Sequence, residues 1–309
     1  MVSNAQSNCS SSKSRVQLQL IILSISMNLS RLILACRNIE KGQTAKSTIL
    51  KSAPTNSDPT IDVCEIDLSS YASVLAFSKQ IKQLPRLDGF IANAGVEKVS
   101  FDLCEGLEQT LTVNVVSTML SCIAVLPKLE QTAIKHKTNT NLSVVGSLIH
   151  VFGPDSQLDV AEGQFMLNAL SGKKTADVPS RYPLSKLLIH HAFHSLSSII
   201  ATHNSNVICN LVNPGWCATE LARDKGTMPF AQRMAFAVMG RTAEQGGRTL
   251  THGVLAGSET AGKYLSECQI KEESAYMHND RAREHRDRLW EELMEIYGRV
   301  APDVLKGIE

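Results

Sequence analysis

Neither sign of charge dominates this sequence: 31 Lys and Arg stand against 30 Asp and Glu, a net +1, and no basic run occurs. Nucleic acids are held largely through neutralised phosphates, so the balance gives no footprint for a nucleic-acid partner. The eight cysteines, scattered from Cys9 to Cys268, form no C-x-x-C pair. That argues against a disulfide framework or a zinc site, and no metal is expected. Cys36 in LILACR and Cys209 in NVICNLVNP lie in apolar stretches, as reduced, buried thiols of a cytoplasmic protein would. Long apolar runs are missing too. The Leu- and Ile-rich stretch 16–36 holds only short runs such as LIIL at 20–23, broken by Gln, Ser, Asn and Arg. A bilayer-spanning helix needs about 20 predominantly apolar residues, so no transmembrane segment is expected. A secretory leader, with Lys13 and Arg15 ahead of the apolar patch, is the weaker alternative. No internal repeat or long linker divides the chain.

What is present is a hydrophobic share of 43%, ample for a sizeable core. From Arg31 onward short apolar runs alternate with helical patterns. RLILAC (31–36), TIDVCEID (60–67), LDGFIANAG (87–95), NLSVVGS (141–147) and NVICNLVNP (206–214) read as strands. Helical spacing covers about 37–50, 71–84, 105–134, 181–203 and 242–257. Such alternation implies right-handed crossovers and a mostly parallel sheet covered on both faces, an α/β fold in one domain. Residues 1–15 are Ser- and Asn-rich and read as disordered, 16–278 as the domain, and 279–309 as a charged helical tail packed on the body. One excursion, about 151–180, is too long for an ordinary connection and is expected to form a pocket wall or lid.

The sharpest chemical pattern is Tyr182-Pro-Leu-Ser-Lys186. Positions i and i+4 share a helix face, so an ammonium can stand beside a phenol. A nearby cation favours the phenolate and would draw the tyrosine down towards working pH, as a general acid–base group requires. Taken alone, the same spacing describes an exposed helix pair of no consequence.

The surroundings give it weight. Asn93-Ala94-Gly95 closes a predicted strand, Asn114 stands in the helical LTVNVVST, Ser147 ends the strand SVVGS, and Asn213-Pro214-Gly215 follows the next strand. In this order and spacing, over roughly 31–265, the chain resembles the short-chain dehydrogenase/reductase family, in a retinol-dehydrogenase-like or related fungal-type branch. The resemblance implies a Rossmann-type doubly wound parallel sheet and a catalytic tetrad of Ser147, Tyr182, Lys186 and Asn114. Ser147 would polarise the substrate oxygen and Tyr182 would exchange the proton. Lys186 would tune the tyrosine and bind the nicotinamide ribose, and Asn114 would hold a relaying water. It implies NADP as cofactor, with NAD the other choice. The cofactor contacts would be Arg37, Asp67, Asn93, Ala94, Gly95, Asn114, Tyr182, Lys186, Pro214, Gly215 and Thr219, Arg37 facing the 2′-phosphate. The partner would be a small carbonyl or alcohol substrate of lipid or secondary metabolism, and family members commonly pair into dimers or tetramers through the two long helices, here 105–134 and 181–203.

One piece of the pattern is absent. Members of the family open with a strand and a glycine-rich turn whose glycines let the backbone and a helix N-terminus approach the pyrophosphate. The first glycine here is Gly42. If 16–24 were the first strand, only about six residues would separate it from RLILAC, whereas a parallel crossover needs about a dozen. A helix at 16–29 fits better, and the first strand is then expected to be missing or degraded. The alternative function that follows is an inactive binding or scaffold protein that keeps the fold.

Overall fold

A computed structural model describes residues 29–52, 59–173, 176–203, 205–217 and 240–308. The expectations for residues 1–28 and for Thr219 lie outside the described residues. The chain runs β1 (Arg31–Cys36), α1 (Ile39–Ser52), β2 (Thr60–Glu65), α2 (Tyr71–Lys82) and β3 (Gly89–Ala92). A small antiparallel pair, β4 (Leu103–Cys104) and β5 (Leu107–Glu108), leads into the long helix α3 (Gln109–His136). Then come β6 (Thr140–Val145), α4 (Met166–Leu170), α5 (Val178–Thr202), β7 (Val207–Asn213) and α6 (Ala243–Leu255). The hairpin β8 (Tyr264–Ser266) and β9 (Gln269–Ile270) precedes the C-terminal helices α7 (Asp280–Val300) and α8 (Pro302–Leu305).

The main sheet has the order β3-β6-β7-β8-β9, parallel except for β9. β6 and β7 are buried at every position, as strands covered on both faces must be. Their side chains alternate between two apolar clusters. Leu142, Val144 and Leu211 pack with α3 and α5, whereas Val145 and Val212 pack with Leu250 of α6 on the other face.

β1 and β2 form a second, separate parallel sheet, in register from Arg31↔Thr60 to Cys36↔Glu65. Among the described residues no strand joins β1 to β3. β1 and most of β3 are half-buried, and their apolar sequences suit a sheet interior. The first strand expected ahead of β1 would fall among residues 1–28, outside the described residues.

Two further features frame the site. α3 is the only helix among the described residues long and apolar enough to cross a membrane, and it is the buried core helix. The excursion 151–180 is built of short helical turns whose Leu158, Met166, Leu167 and Leu170 enter the core. α7 buries Leu289, Leu293, Ile296 and Tyr297 at helical spacing, each contributing about 1.5–3 kcal/mol of transfer free energy. Its polar face staples the excursion. Arg281 pairs with Asp155 at 2.6 Å and with Asp159, and Arg288 donates to the carbonyls of Val160 (3.0 Å) and Ala161 (2.9 Å). The Glu292 carboxylate accepts from the amides of Met166 and Leu167.

Candidate active site

Ser147 follows β6 and caps a 3-10 turn, Leu148–Phe152, its Oγ accepting from the Ile149 amide at 3.2 Å. The turn packs against α5. Asn213, at the end of β7, holds it from the far side. Its Oδ1 accepts from the amides of Leu148 and Gly215, both at 3.1 Å, and its Nδ2 donates to Ser266 Oγ at 3.1 Å. The Pro214-Gly215 turn needs its glycine: φ is +83°, and a Cβ would stand 2.5 Å from Arg241.

Asn114 sits in a π-turn, Thr112–Ser117, that interrupts α3. Such a bulge redirects one side chain and frees backbone groups, and bulges of this kind recur at functional sites. Here the Asn114 amide joins three elements. Its Oδ1 accepts from the Val96 amide (2.8 Å), and its Nδ2 donates to the Val96 carbonyl (2.8 Å) and to Ser185 Oγ (2.9 Å) on α5. Gly95 leaves room beside it: a Cβ there would stand 3.1 Å from Oδ1, so the Asn114 amide would have to yield by a few tenths of an ångström. Asn93-Ala94-Gly95 thus lies at the mouth of β3, fastened to the helix bulge.

α5 presents Tyr182 half-buried and Lys186 buried. Lys186 Nζ donates to the carbonyl of Val145, two residues before Ser147, at 2.8 Å. This ties the Tyr–Lys helix to the strand that ends in Ser147. The expected lowering of the tyrosine is not what the environment produces. Burial pushes the Tyr182 phenol above its ordinary range, and the Glu97 carboxylate adds to the rise. The i, i+4 spacing brought the two residues to one helix, but burial and Glu97 set the direction of the phenol.

The remaining cofactor candidates divide by location. Asp67 follows β2, where its carboxylate accepts from the amide (2.9 Å) and hydroxyl (2.6 Å) of Ser69 and shapes the turn into α2. Arg37 is exposed just past β1 with no partner among the described residues. For a dinucleotide the fit is therefore one-sided. At the nicotinamide end the Asn93–Gly95 mouth, Lys186 and the Pro214-Gly215 turn fit a ribose and a ring. The phosphate end would lie ahead of β1, where the sequence has no glycine and only residues 29 and 30 are described. The N-terminus of α1 is already capped by Asn38, which accepts from the Lys41 amide at 2.8 Å.

A group that sequence inspection missed lies directly behind Ser147: His150, His190, His194 and Glu273. Glu273 accepts from His190 Nδ1 and from His194 Nε2, each at 2.5 Å. Its signal was in the sequence, because Tyr182, Lys186, His190 and His194 follow one another at intervals of four and form a continuous stripe along α5.

The comparisons agree with this geometry. The short chain dehydrogenase family model matches residues 24–147. The short chain dehydrogenase/reductase dmxR8 of Cryptosporiopsis sp. is 35% identical over 283 residues, covering 91% of this chain and 86% of its own. The short-chain dehydrogenase anuD of Penicillium roqueforti is 33% identical over 285 residues, covering 90% of this chain and 73% of its own. The chain belongs to the short-chain dehydrogenase/reductase family of oxidoreductases, and these relatives are fungal. Among solved structures, an RhlG/NADP active-site complex of Pseudomonas aeruginosa superposes with a TM-score of 0.58 at 18% identity, covering 82% of this chain and 91% of that one. That likeness bears on the fold alone.

Proposed function

We propose that this chain is an NADP-dependent oxidoreductase that reduces a ketone or aldehyde, or oxidises a secondary alcohol, on a small molecule of fungal secondary or lipid metabolism. The observation that carries the reading is the Asn114 junction. One side chain binds the Asn93–Val96 mouth and the Tyr182 helix together, while Lys186 fastens that helix to the strand of Ser147. Four residue types that the family uses for proton and oxygen chemistry are thus held on interlocked elements, which random surface residues would not be.

The bound nicotinamide would supply or accept the hydride. Ser147 would donate its hydroxyl hydrogen bond to the substrate oxygen, where charge develops in the transition state. Tyr182 would give a proton to that oxygen in reduction and take it in oxidation. Burial and Glu97 hold the phenol in its protonated form, the form that donates in reduction. Asn114 would keep the bulge of α3 in place and with it the order of the proton path. Arg37, exposed just past β1, would face a 2′-phosphate, which supports NADP over NAD. A cytoplasmic setting is supported by the seven free cysteines among the described residues.

A second reading, an inactive binding or scaffold protein, is favoured by a specific observation: no glycine precedes Gly42, so the sequence offers no glycine-rich phosphate turn ahead of β1. Fluorescence titration of the purified chain with NADPH separates the two, with Tyr182→Phe as control. Micromolar binding, retained in Tyr182→Phe while turnover of a carbonyl panel is lost, is the expected result. No binding at millimolar NADPH would leave the scaffold reading.

A further inference from the structure

Both backbone polar groups of Ser147 are held by imidazoles. His150 Nδ1 donates to the Ser147 carbonyl at 2.8 Å, and the Ser147 amide donates to His190 Nε2 across a long 3.4 Å contact. The other nitrogens of the two rings lead to adjacent residues of the segment after β9. His190 Nδ1 donates to Glu273 Oε1 at 2.5 Å, and His150 Nε2 accepts from the Ser274 amide at 3.2 Å. The path therefore leaves Ser147 through one ring and returns through the other. The rings stack, with centroids 4.0 Å apart and planes 25° apart. The His190 side chain is fully buried and that of Glu273 is 5% exposed, so the contacts are shielded from water. Gly146 permits the approach: a Cβ there would stand 2.6 Å from His190 Nε2.

A metal ion is the other use such a cluster suggests, since ligand atoms of His150, His190 and Glu273 lie within 4.8 Å of one another. The geometry disfavours it. A zinc ion needs in-plane lone pairs of its histidines converging on one point about 2.0–2.1 Å away, whereas stacked rings aim theirs along near-parallel lines. Every nitrogen of these two rings already has a partner, and the set is consistent with neutral rings protonated at Nδ1.

We propose that Glu273 and His190, together with His150, are positioning residues that fix the backbone of Ser147 and so aim its hydroxyl at the substrate oxygen. The idea rests on the oxidoreductase reading given above. It makes the segment after β9 a functional part of the serine's environment: docking of residues 273–274 on α5 and docking of the serine turn become one event. Second-layer hydrogen bonds of this kind hold a reacting group within the narrow tolerance that catalysis requires.

The test is a double-mutant cycle on the full chain. Glu273→Gln should lower kcat about 10–100-fold with the NADPH Kd unchanged within about twofold, since a displacement of about 1 Å carries a penalty of that order. In a Ser147→Ala background the same substitution should have almost no further effect on kcat. Gly146→Ala, which replaces no titratable residue but sets a Cβ 2.6 Å from His190 Nε2, should reproduce the loss by pushing His190 away, and near-UV circular dichroism checks that each variant is folded. Equal losses in both backgrounds would assign Glu273 a purely structural role and overturn the proposal. Nitrogen-15 NMR of labelled histidines gives a readout that does not depend on turnover. Protons at Nδ1 of both His150 and His190, with the His190 signal altered in Glu273→Gln, support the network even if the wild-type chain proves inactive. An Nε2–H form of His190, or stoichiometric Zn²⁺ binding that shifts both rings, would overturn it.

Discussion

The Tyr297 hydroxyl donates to the carbonyl oxygen of Val116 at 2.7 Å, across a fully buried contact between α7 and the π-turn of α3. A π-turn leaves the regular i, i+4 ladder, and the carbonyls it frees must find other donors. The C-terminal helix supplies one of them two residues from Asn114. Tyr297→Phe should therefore destabilise the chain by about 1–3 kcal/mol, the effect of leaving a buried acceptor without its donor. Thermal unfolding measures that loss. Turnover should fall as well, because the bulge that aims Asn114 loses its brace; an unchanged kcat would separate the two.

Glu97 bears on the acid–base group. Its carboxylate reinforces the upward push that burial exerts on Tyr182. Removing a negative charge makes the phenolate easier to form, so in Glu97→Gln the phenol should titrate at lower pH. The alkaline limb of the reductive pH–rate profile, where the proton donor is lost, should move towards neutrality. Oxidation at a fixed pH should quicken. A limb that stays in place would show that Glu97 is screened from the phenol.

Acid should unfold this protein readily. Burial lowers His190 to about 4 and His191 to about 3, against an ordinary value of 6.5, so both are neutral in the folded state at neutral pH. Between 6.5 and 4 the unfolded chain binds protons that the folded chain refuses, so stability falls as the pH falls, by on the order of a few kcal/mol. Glu273 acts lower down. Its folded value is depressed by the two histidines, so its stabilisation is complete above the ordinary 4.5 and is lost below it. Calorimetry should find the melting temperature dropping from pH 6.5 to 5, before most carboxylates titrate. His191→Gln should flatten that slope, and an identical slope would contradict the assignment.

Pairing through the two long helices is the family habit, yet here the chain covers those helices itself. α7 packs on α5, α8 packs on α3, and α3 is buried along nearly all of its first twenty residues. Pairing through those faces would require α7 to leave. Light scattering on a size-exclusion column should give the monomer mass of 33.7 kDa. A stable dimer whose protection from exchange maps to α3 and α5 would refute this.

The sheet and helix order was legible because buried parallel strands such as NLSVV and VICNLVN read as apolar runs, and the amphipathic helices between them keep a period of 3.6. The Ser147, Asn114 and Lys186 elements were legible from order and spacing. Three matters were not. The direction of the Tyr182 shift depends on burial, which no spacing encodes. The partnership of His150 and His190 with Glu273 spans 83 residues of chain between the latter two, and long-range hydrogen bonds leave no periodic trace. The staple of α7 on the excursion is hidden in a helix whose Arg281, Arg288 and Glu292 look like ordinary surface charge until the facing segment is in place.

The break between β1 and β3 reaches beyond cofactor binding. Ile49 and Ile61 form a small apolar cluster of their own, apart from the core that unites α3, α5, β6 and β7. In a continuous Rossmann sheet, loss of any strand propagates through the ladder, and the domain melts as one. Among the described residues the β1–α1–β2 unit meets the rest through side chains such as Ile33, Ala35 and Cys64, and its strands share no ladder with β3. If that side-chain seam is the weaker joint, the amides of β1 and β2 should exchange with solvent ahead of those of β6 and β7.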